Sequence, residues 1–114
     1  MNVETFREYC LKKPGVSEHL PFDERTLVFK VGGKMFALCD IESFTGANLK
    51  CDPEWAIELR EQYEGITPGY HMNKKHWNTV AAASDVDQAM FIRLIDHSYE
   101  LIKSSLPKKE REKL

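Results

Sequence analysis

The sequence predicts a single domain of the α+β class, and three observations support this prediction. At 114 residues the chain has the length of one domain, and two separate hydrophobic cores would each be too small to be stable. Apolar residues recur at helical spacing near both ends of the chain, over residues 2–12 and 86–102. Between these helices, segments rich in β-branched and aromatic residues predict strands.

The first predicted helix covers residues 2–12. Val3, Phe6 and Cys10 recur along it at helical spacing, which gives the helix one apolar side. The sequence Lys13-Pro14-Gly15 follows, and proline with glycine after a periodic segment is typical of a helix end. This helix is therefore expected to pack against the rest of the domain and to stop before residue 14.

A β-hairpin follows, with strands predicted at 26–31 and 34–39. The two residues between them, Gly32 and Gly33, permit the positive φ angles of a tight turn. This loop sets a register in which Phe29 faces Phe36 on the buried side of the ladder, as Val31 faces Lys34 and Leu27 faces Leu38. Lys30 and Lys34 then lie near the tip on opposite faces, where their ammonium groups remain in water.

A third strand is predicted within residues 44–51, and a second helix begins directly after it. Asp52 is a suitable N-cap, Pro53 suits the first helical position, and Glu54 places an acid in the first turn. Gly65 is the expected stop. The predicted apolar stripe of this helix consists of Trp55, Ala56, Leu59 and Tyr63.

The last third of the chain predicts a turn, a strand and a long helix. Residues 67–69 form the turn, and residues 76–82 alternate as a strand. Ser84, with Asp87 three residues later, predicts the capped start of a helix that ends near Ser104. We therefore expect one domain over residues 1–106, followed by a frayed, charged tail at 107–114.

The three cysteines and the apolar segments indicate the compartment. Cys10, Cys39 and Cys51 are odd in number and widely spaced, so they predict buried thiols in a reducing cytoplasm rather than disulfides. The charged N-terminal segment is unlike a signal peptide, and the longest apolar stretch is too short to cross a bilayer. We expect a cytoplasmic protein without a membrane partner, as a monomer or a weak homodimer. No cofactor or metal site is predicted, because the cysteines and histidines lack paired spacing.

Positive and negative charge are segregated along the chain, although the net charge is only −2. Residues 25–39 carry three basic residues and no acid, a net charge of +3, and residues 66–84 carry Lys74 and Lys75 and no acid, a net charge of +2. Residues 52–64 carry five acids against Arg60 alone, a net charge of −4. The near-neutral total therefore conceals local basic segments.

Four separated motifs give the chain a specific resemblance to a known family. They occur in order over nearly the whole chain: Lys30-Val31-Gly32-Gly33-Lys34-Met35-Phe36-Ala37, then Asn48-Leu49-Lys50-Cys51-Asp52-Pro53-Glu54, then the segment from Pro68 to Asn78, then Asp96-His97-Ser98-Tyr99. Together they resemble the MmcQ/YjbR-like family. The resemblance implies a two-layer α+β domain in which helices cover an antiparallel sheet, similar in layout to secretion-chaperone-like folds. It also implies DNA binding through a pair of β-hairpin wings.

Nucleic-acid binding is the function that the basic segments favour. Phosphates require cations at projecting positions, and an aromatic side chain beside them can stack on a base or wedge into a groove. The candidate residues are Lys30, Lys34, Lys50, Lys74, Lys75, His76 and Trp77, with Tyr70 as a second candidate aromatic. Two observations oppose this interpretation: lysines at strand ends commonly protect sheet edges, and the isoelectric point is near 6.1.

A small-ligand pocket or a protein-interaction surface is the alternative. Its candidate residues are Tyr70, His71, His76, Trp77 and Asn78, the densest group of chemically capable side chains. No acid lies in this segment to orient a histidine, and no motif places a serine or cysteine nucleophile, so no active site is recognised. A partner could instead dock on the apolar side of the last helix, although this side is better explained as core.

Overall fold

The computed structural model describes every residue from Met1 to Leu114 and contains four helices and six strands. In chain order the elements are α1 (Val3–Lys12), β1 (Val16–His19), β2 (Thr26–Val31), β3 (Lys34–Asp40), β4 (Gly46–Lys50), α2 (Pro53–Gln62), β5 (Ile66–Pro68), β6 (Trp77–Ala81), α3 (Gln88–Ser105) and α4 (Lys108–Arg111). The strands form one antiparallel sheet in the order β1-β2-β3-β4-β6-β5. The α+β class predicted from the sequence is therefore confirmed.

The two faces of the sheet are covered differently. The main core joins one face to the helices, with Phe6 of α1 and Phe91 of α3 completely buried in it. A second, smaller cluster consists of Val28, Leu38 and Trp77 and contains no helical residue. We call the face that carries these three residues the helix-free face. The domain thus has two layers, with the helices on one side of the sheet.

No helix combines the length and the hydrophobicity that crossing a bilayer requires.

The predicted start of α2 is confirmed by its cap geometry. The carboxylate of Asp52 accepts a hydrogen bond from the backbone N–H of Trp55 at 3.2 Å, and Pro53 is the first helical residue. The helix ends at Gln62, a little before the predicted stop. The cap satisfies one of the backbone donors that a helix N-terminus leaves unpaired.

Replacing Asp52 by alanine is expected to lower the free energy of unfolding by about 1 kcal/mol, because the Trp55 N–H loses its acceptor. Asp52→Asn is the matched control, since an asparagine oxygen can accept the same bond. Chemical denaturation of both variants measures the difference. Equal midpoints for the alanine and asparagine variants would contradict a capping role.

The start of α3 was predicted too early. The helix begins at Gln88, and its N-cap is Asp87, whose carboxylate accepts the N–H of Met90 at 2.8 Å. Ser84 instead closes a turn, donating to the carbonyl of Ala81 at 2.8 Å. Two residues with capping side chains lie three positions apart, and the sequence pattern alone does not decide between them.

The β2–β3 hairpin contains a bulge that the sequence did not reveal. The register agrees with the prediction near the turn, where Val31 pairs with Lys34. Beyond this point it shifts, so that Phe29 pairs with Ala37 and not with Phe36. The predicted Phe29–Phe36 pair is therefore wrong, because a bulge places one extra residue in β3. Both phenylalanine side chains are nevertheless completely buried, as the prediction required.

Two short edge strands were not predicted. β1 follows the predicted end of α1 and pairs with β2 along one edge of the sheet. β5 was assigned to a turn, yet it pairs with β6 along the other edge. Each has at most four residues, and β5 contains Pro68, which is tolerated only at a sheet edge. Such strands carry little periodic signal in the sequence.

The C-terminal residues are ordered against the domain. Residues predicted as a frayed tail form α4, and the side chain of Leu114 packs against the core. Leu106 is buried against the hairpin turn, where a Cβ on Gly32 would lie only 2.6 Å from its Cδ1 atom. Gly32 also has a φ of 58°, so both space and backbone conformation favour glycine there.

The three cysteines are free and buried, as predicted. Burial raises the pKa of the Cys39 and Cys51 thiols to about 12, so both are protonated and unreactive near neutral pH. They serve as small apolar core residues.

Candidate functional site

The strand register brings Lys30 and Lys50 to one end of the helix-free face. Lys30 pairs with Met35 near the β2–β3 turn, and Lys50 pairs with Trp77 where β4 ends and β6 begins. One strand, β3, separates β2 from β4, so the two lysine backbones are roughly 10 Å apart at the usual strand spacing of about 4.8 Å. Two lysines that are 20 positions apart in sequence thus become neighbours in one row across the sheet.

The loop between β5 and β6, residues 69–76, lies at the same end of the sheet. It joins the C-terminal end of β5 to the start of β6, beside Lys50. The loop contributes Lys74 and Lys75, both exposed. We call Lys30, Lys50, Lys74 and Lys75 the basic end of the sheet. The turns of two hairpins therefore lie at the same end of the molecule, on either side of β4.

Lys34 does not share the face of Lys30 and Lys50. It pairs with Val31, whose side chain is buried in the main core, and its ammonium group donates to the hydroxyl of Ser105 in α3 at 3.4 Å. The predicted placement of Lys30 and Lys34 on opposite faces is confirmed. Lys74, another predicted nucleic-acid-binding residue, has a partner within its own loop: its ammonium group donates to the carbonyl of Gly69 at 3.1 Å.

The strands contribute one acidic residue to the helix-free face. Among strand residues that share this face by register, Asp40 is the single acid, and it lies at the end of the sheet opposite the lysines. Backbone N–H groups of Ser43 and Glu42 hold the pKa of Asp40 below its usual value, and Arg25 pairs with it at 3.0 Å. Three other acids, Glu54, Glu58 and Glu61, belong to α2, which packs on the other side of the sheet. Charge is therefore segregated by face as well as along the chain.

Trp77 and Asn78 are buried on opposite faces, so the predicted ligand-pocket residues do not share one cavity. Trp77 is 8% exposed and packs in the helix-free cluster, where it cannot stack on a ligand. Asn78 is 2% exposed and accepts a hydrogen bond from Arg60 of α2 at 2.7 Å. His76 is half-buried between the loop and β6. Tyr70 and His71 are the members of that set that line an open cavity.

Arg60 positions the basic loop, and sequence reasoning missed it. Besides binding Asn78, its guanidinium donates to the carbonyl of Lys74 and reaches the carbonyl of Trp77 at 3.4 Å. These bonds tie α2 to the end of the loop that carries Lys74 and Lys75. The available signal was a lone basic residue in an acid-rich helix, which also fits an ordinary surface residue.

A groove of about 740 Å³ opens on the helix-free face beside the basic end. Its floor includes Leu38 and Asn48, the loop contributes Tyr70 and His71, and Phe22 lies on the opposite side. Tyr70 and Phe22 are 69% and 65% exposed, unusually open positions for large aromatic side chains. Phe22 and Asn48 were not predicted as site residues, because nothing in their local sequence separates them from loop and strand residues.

A hydrogen-bond network fixes the loop over this groove. The Thr79 hydroxyl accepts from the backbone N–H of Tyr70 at 2.9 Å and donates to the Asn48 side-chain oxygen at 2.6 Å. The Asn48 side-chain nitrogen donates to the Tyr70 carbonyl at 3.1 Å, which closes the network. The next residue, His71, has a φ of 59°, and the centroid of its ring lies 4.0 Å from the centroid of the Tyr70 ring. A residue other than glycine with a backbone in the left-handed region is uncommon, and such residues often mark a functional segment.

His97 is a packing residue that joins two helices. Its Nε2 atom accepts the backbone N–H of Asp52 at 3.0 Å, and its ring lies edge-on to Trp55 at 4.6 Å. Burial lowers the pKa of His97, which keeps the imidazole neutral and able to accept this bond. The residue therefore joins α3 to the start of α2.

Comparison with known proteins identifies close relatives. The family model described as YjbR matches residues 11–101. The chain is 36% identical to the protein YbdF of Escherichia coli O157:H7, with 97% of this chain and 92% of that protein covered. It is 31% identical to YjbR of Escherichia coli K12, with 100% and 98% covered. The crystal structure of Deinococcus radiodurans protein DR2400 superposes with a TM-score of 0.92 at 41% identity, covering 97% of this chain and 86% of that one.

Proposed function

This chain belongs to the YjbR family, and on that premise we propose that it binds nucleic acid, DNA in the first instance, through the basic end of its sheet. One observation carries the proposal. Lys30, Lys50, Lys74 and Lys75 come from three separate elements, yet the topology brings them to one end of the sheet, where Lys30 and Lys50 share the helix-free face. The strand residues of that face contain a single acid, Asp40, which is already ion-paired.

Phosphate groups match this arrangement chemically. Lysine ammonium groups on flexible stems bind phosphate as point charges, and each contact releases condensed counterions from the nucleic acid. Lys75 is exposed at the loop, and the half-buried stems of Lys30 and Lys50 leave their ammonium groups at the surface. The basic end therefore supports backbone contacts, which give affinity without sequence preference.

The acidic isoelectric point does not oppose this proposal. Binding responds to the local potential of the contacted surface, and charges beyond a Debye length of about 8 Å at physiological salt are largely screened. The acids of α2 lie on the other side of the sheet. A protein with a net charge of −2 can therefore present a basic patch to a phosphate backbone.

Replacing Lys30 and Lys50 together by glutamine is expected to weaken binding and to reduce its dependence on salt. Each lost phosphate contact makes the slope of log affinity against log salt shallower by about 0.9 for duplex DNA or 0.7 for single strands. The double variant should therefore change the slope by about 1.8 or 1.4 respectively. Fluorescence anisotropy at several salt concentrations measures both affinity and slope.

The matched control is the double variant Lys108→Gln, Lys109→Gln in α4, which removes the same charge from the side of the sheet that the helices cover. We expect it to keep the wild-type slope. Glutamine keeps the two methylene groups nearest the backbone, so the packing of the inner part of the Lys30 and Lys50 stems is preserved. Equal slope changes in both double variants, or the absence of binding at low salt, would contradict the proposal.

A further inference from the structure

We infer that the preferred nucleic acid is single-stranded and that one unpaired base sits in the groove between Tyr70 and Phe22; this inference rests on the proposed function. The groove and the basic end are continuous. Met35 lines the groove and pairs with Lys30, while Asn48 lines it two residues before Lys50 on the same face. Two residues along a strand span about 7 Å. A base in the groove would thus leave its phosphates beside the lysines.

The exposed aromatic side chains suit a base. Four large hydrophobic side chains of this chain are exposed, and two of them, Tyr70 and Phe22, line the groove. Every base has an aromatic face, so aromatic side chains beside a basic patch bind single strands by stacking. Stacking on Trp77, the aromatic favoured by the sequence, is prevented by its burial.

The polar floor of the groove suits the edge of a base. Asn48 uses one of its two N–H donors on the Tyr70 carbonyl and one oxygen lone pair on the Thr79 hydroxyl. One donor and one acceptor therefore remain free on a side-chain amide whose orientation is fixed. Asparagine amides use this pair to bind base edges, whereas a hydrocarbon ligand would leave both unpaired. The volume of about 740 Å³ is ample for one nucleoside.

The geometry favours single strands over duplexes because the groove is concave. Bases in a duplex are paired and stacked, and placing one in a pocket requires it to leave the stack at a cost of a few kcal/mol. An unpaired strand avoids this cost. Duplex DNA could still contact Lys30 and Lys50, but it would gain nothing from Tyr70 or Asn48.

Tyr70→Leu tests the inference while keeping the hydrogen bonds that fix the loop. The tyrosine ring is exposed, and the bonds to Asn48 and Thr79 are made by the Tyr70 backbone. We expect a single strand of about 12 nucleotides to bind about tenfold more weakly to this variant, with an unchanged salt slope. The same strand annealed to its complement should bind as it does to the wild type. Tyr70→Phe should retain single-strand affinity, because phenylalanine also stacks.

Ile57→Ala is the control for loss of an exposed apolar side chain, because Ile57 lies on α2 outside the groove. It should leave both affinities unchanged, and thermal unfolding should show that all variants are folded. If duplex binds as tightly as single strand, or if Tyr70→Leu weakens both alike or neither, the inference is overturned. The proposed function then still stands if the Lys30 and Lys50 double variant changes the salt slope. Absence of binding to either form overturns both.

Discussion

Replacing Phe29 by alanine is expected to lower the free energy of unfolding by about 3–5 kcal/mol. Its side chain is completely buried, and its ring lies edge-on to Phe6 at 5.7 Å. Phe6 in turn contacts Phe44 and Phe91, so the substitution opens a cavity beside a cluster that joins β2 to α1 and α3. Aromatic pairs of this kind contribute beyond the area that they bury. Chemical denaturation gives the change directly.

Phe22→Ala is the matched control for this measurement. It removes the same side chain from an exposed position, so we expect a change within about 0.5 kcal/mol. Phe36→Ala should resemble Phe29→Ala, because Phe36 is completely buried and packs edge-on against Tyr99 at 5.5 Å. A loss below about 1 kcal/mol at Phe29 would mean that β2 does not face the main core in this way.

Elements marked by residues with strong backbone preferences were predicted correctly. Asp52 and Pro53 fixed the start of α2, and Gly32-Gly33 fixed the turn of the β2–β3 hairpin. These signals act within a few residues of the chain, and no distant contact overrides them. β1 and β5 lack such signals, and their pairing partners alone make them strands.

The lysines of the candidate site were named from the sequence, but only for Lys30 and Lys34 did the sequence also predict the face of the sheet. Which lysines share a face depends on register, and a shift of one residue moves a side chain to the opposite face. The segregation of charge along the chain predicted basic hairpin turns, and the structure places Lys30, Lys50, Lys74 and Lys75 at one end of the sheet. The groove was beyond sequence reasoning, since it joins side chains from strands and loops that become neighbours only in the folded sheet.

The bulge in β3 shows why the register could not be predicted locally. Ladder pairing between β3 and β4 stops at Ala37 and Leu49, and the Ser98 hydroxyl of α3 lies beyond that point. It donates to the carbonyl of Phe36 and accepts the N–H of Lys50 at 2.9 Å. One completely buried hydroxyl therefore satisfies two backbone groups that lie just beyond the last β3–β4 pair, one of them at Phe36, beside the bulge. Ser98 follows Phe36 by 62 positions, so no local pattern around the hairpin contains this information.

Replacing Ser98 by alanine is therefore expected to lower the free energy of unfolding by about 2–6 kcal/mol, although it removes a single oxygen atom. A buried backbone group that loses its partner costs about 1–3 kcal/mol, and here Phe36 and Lys50 each lose one. Ser104→Ala on the same helix removes an exposed hydroxyl and should change stability by less than about 0.5 kcal/mol. Comparable stabilities for the two variants would show that the Ser98 hydroxyl does not support the bulge. A much larger loss of stability for Ser98→Ala than for Ser104→Ala would instead show that the Ser98 hydroxyl of α3 joins β3 to β4 beside Lys50.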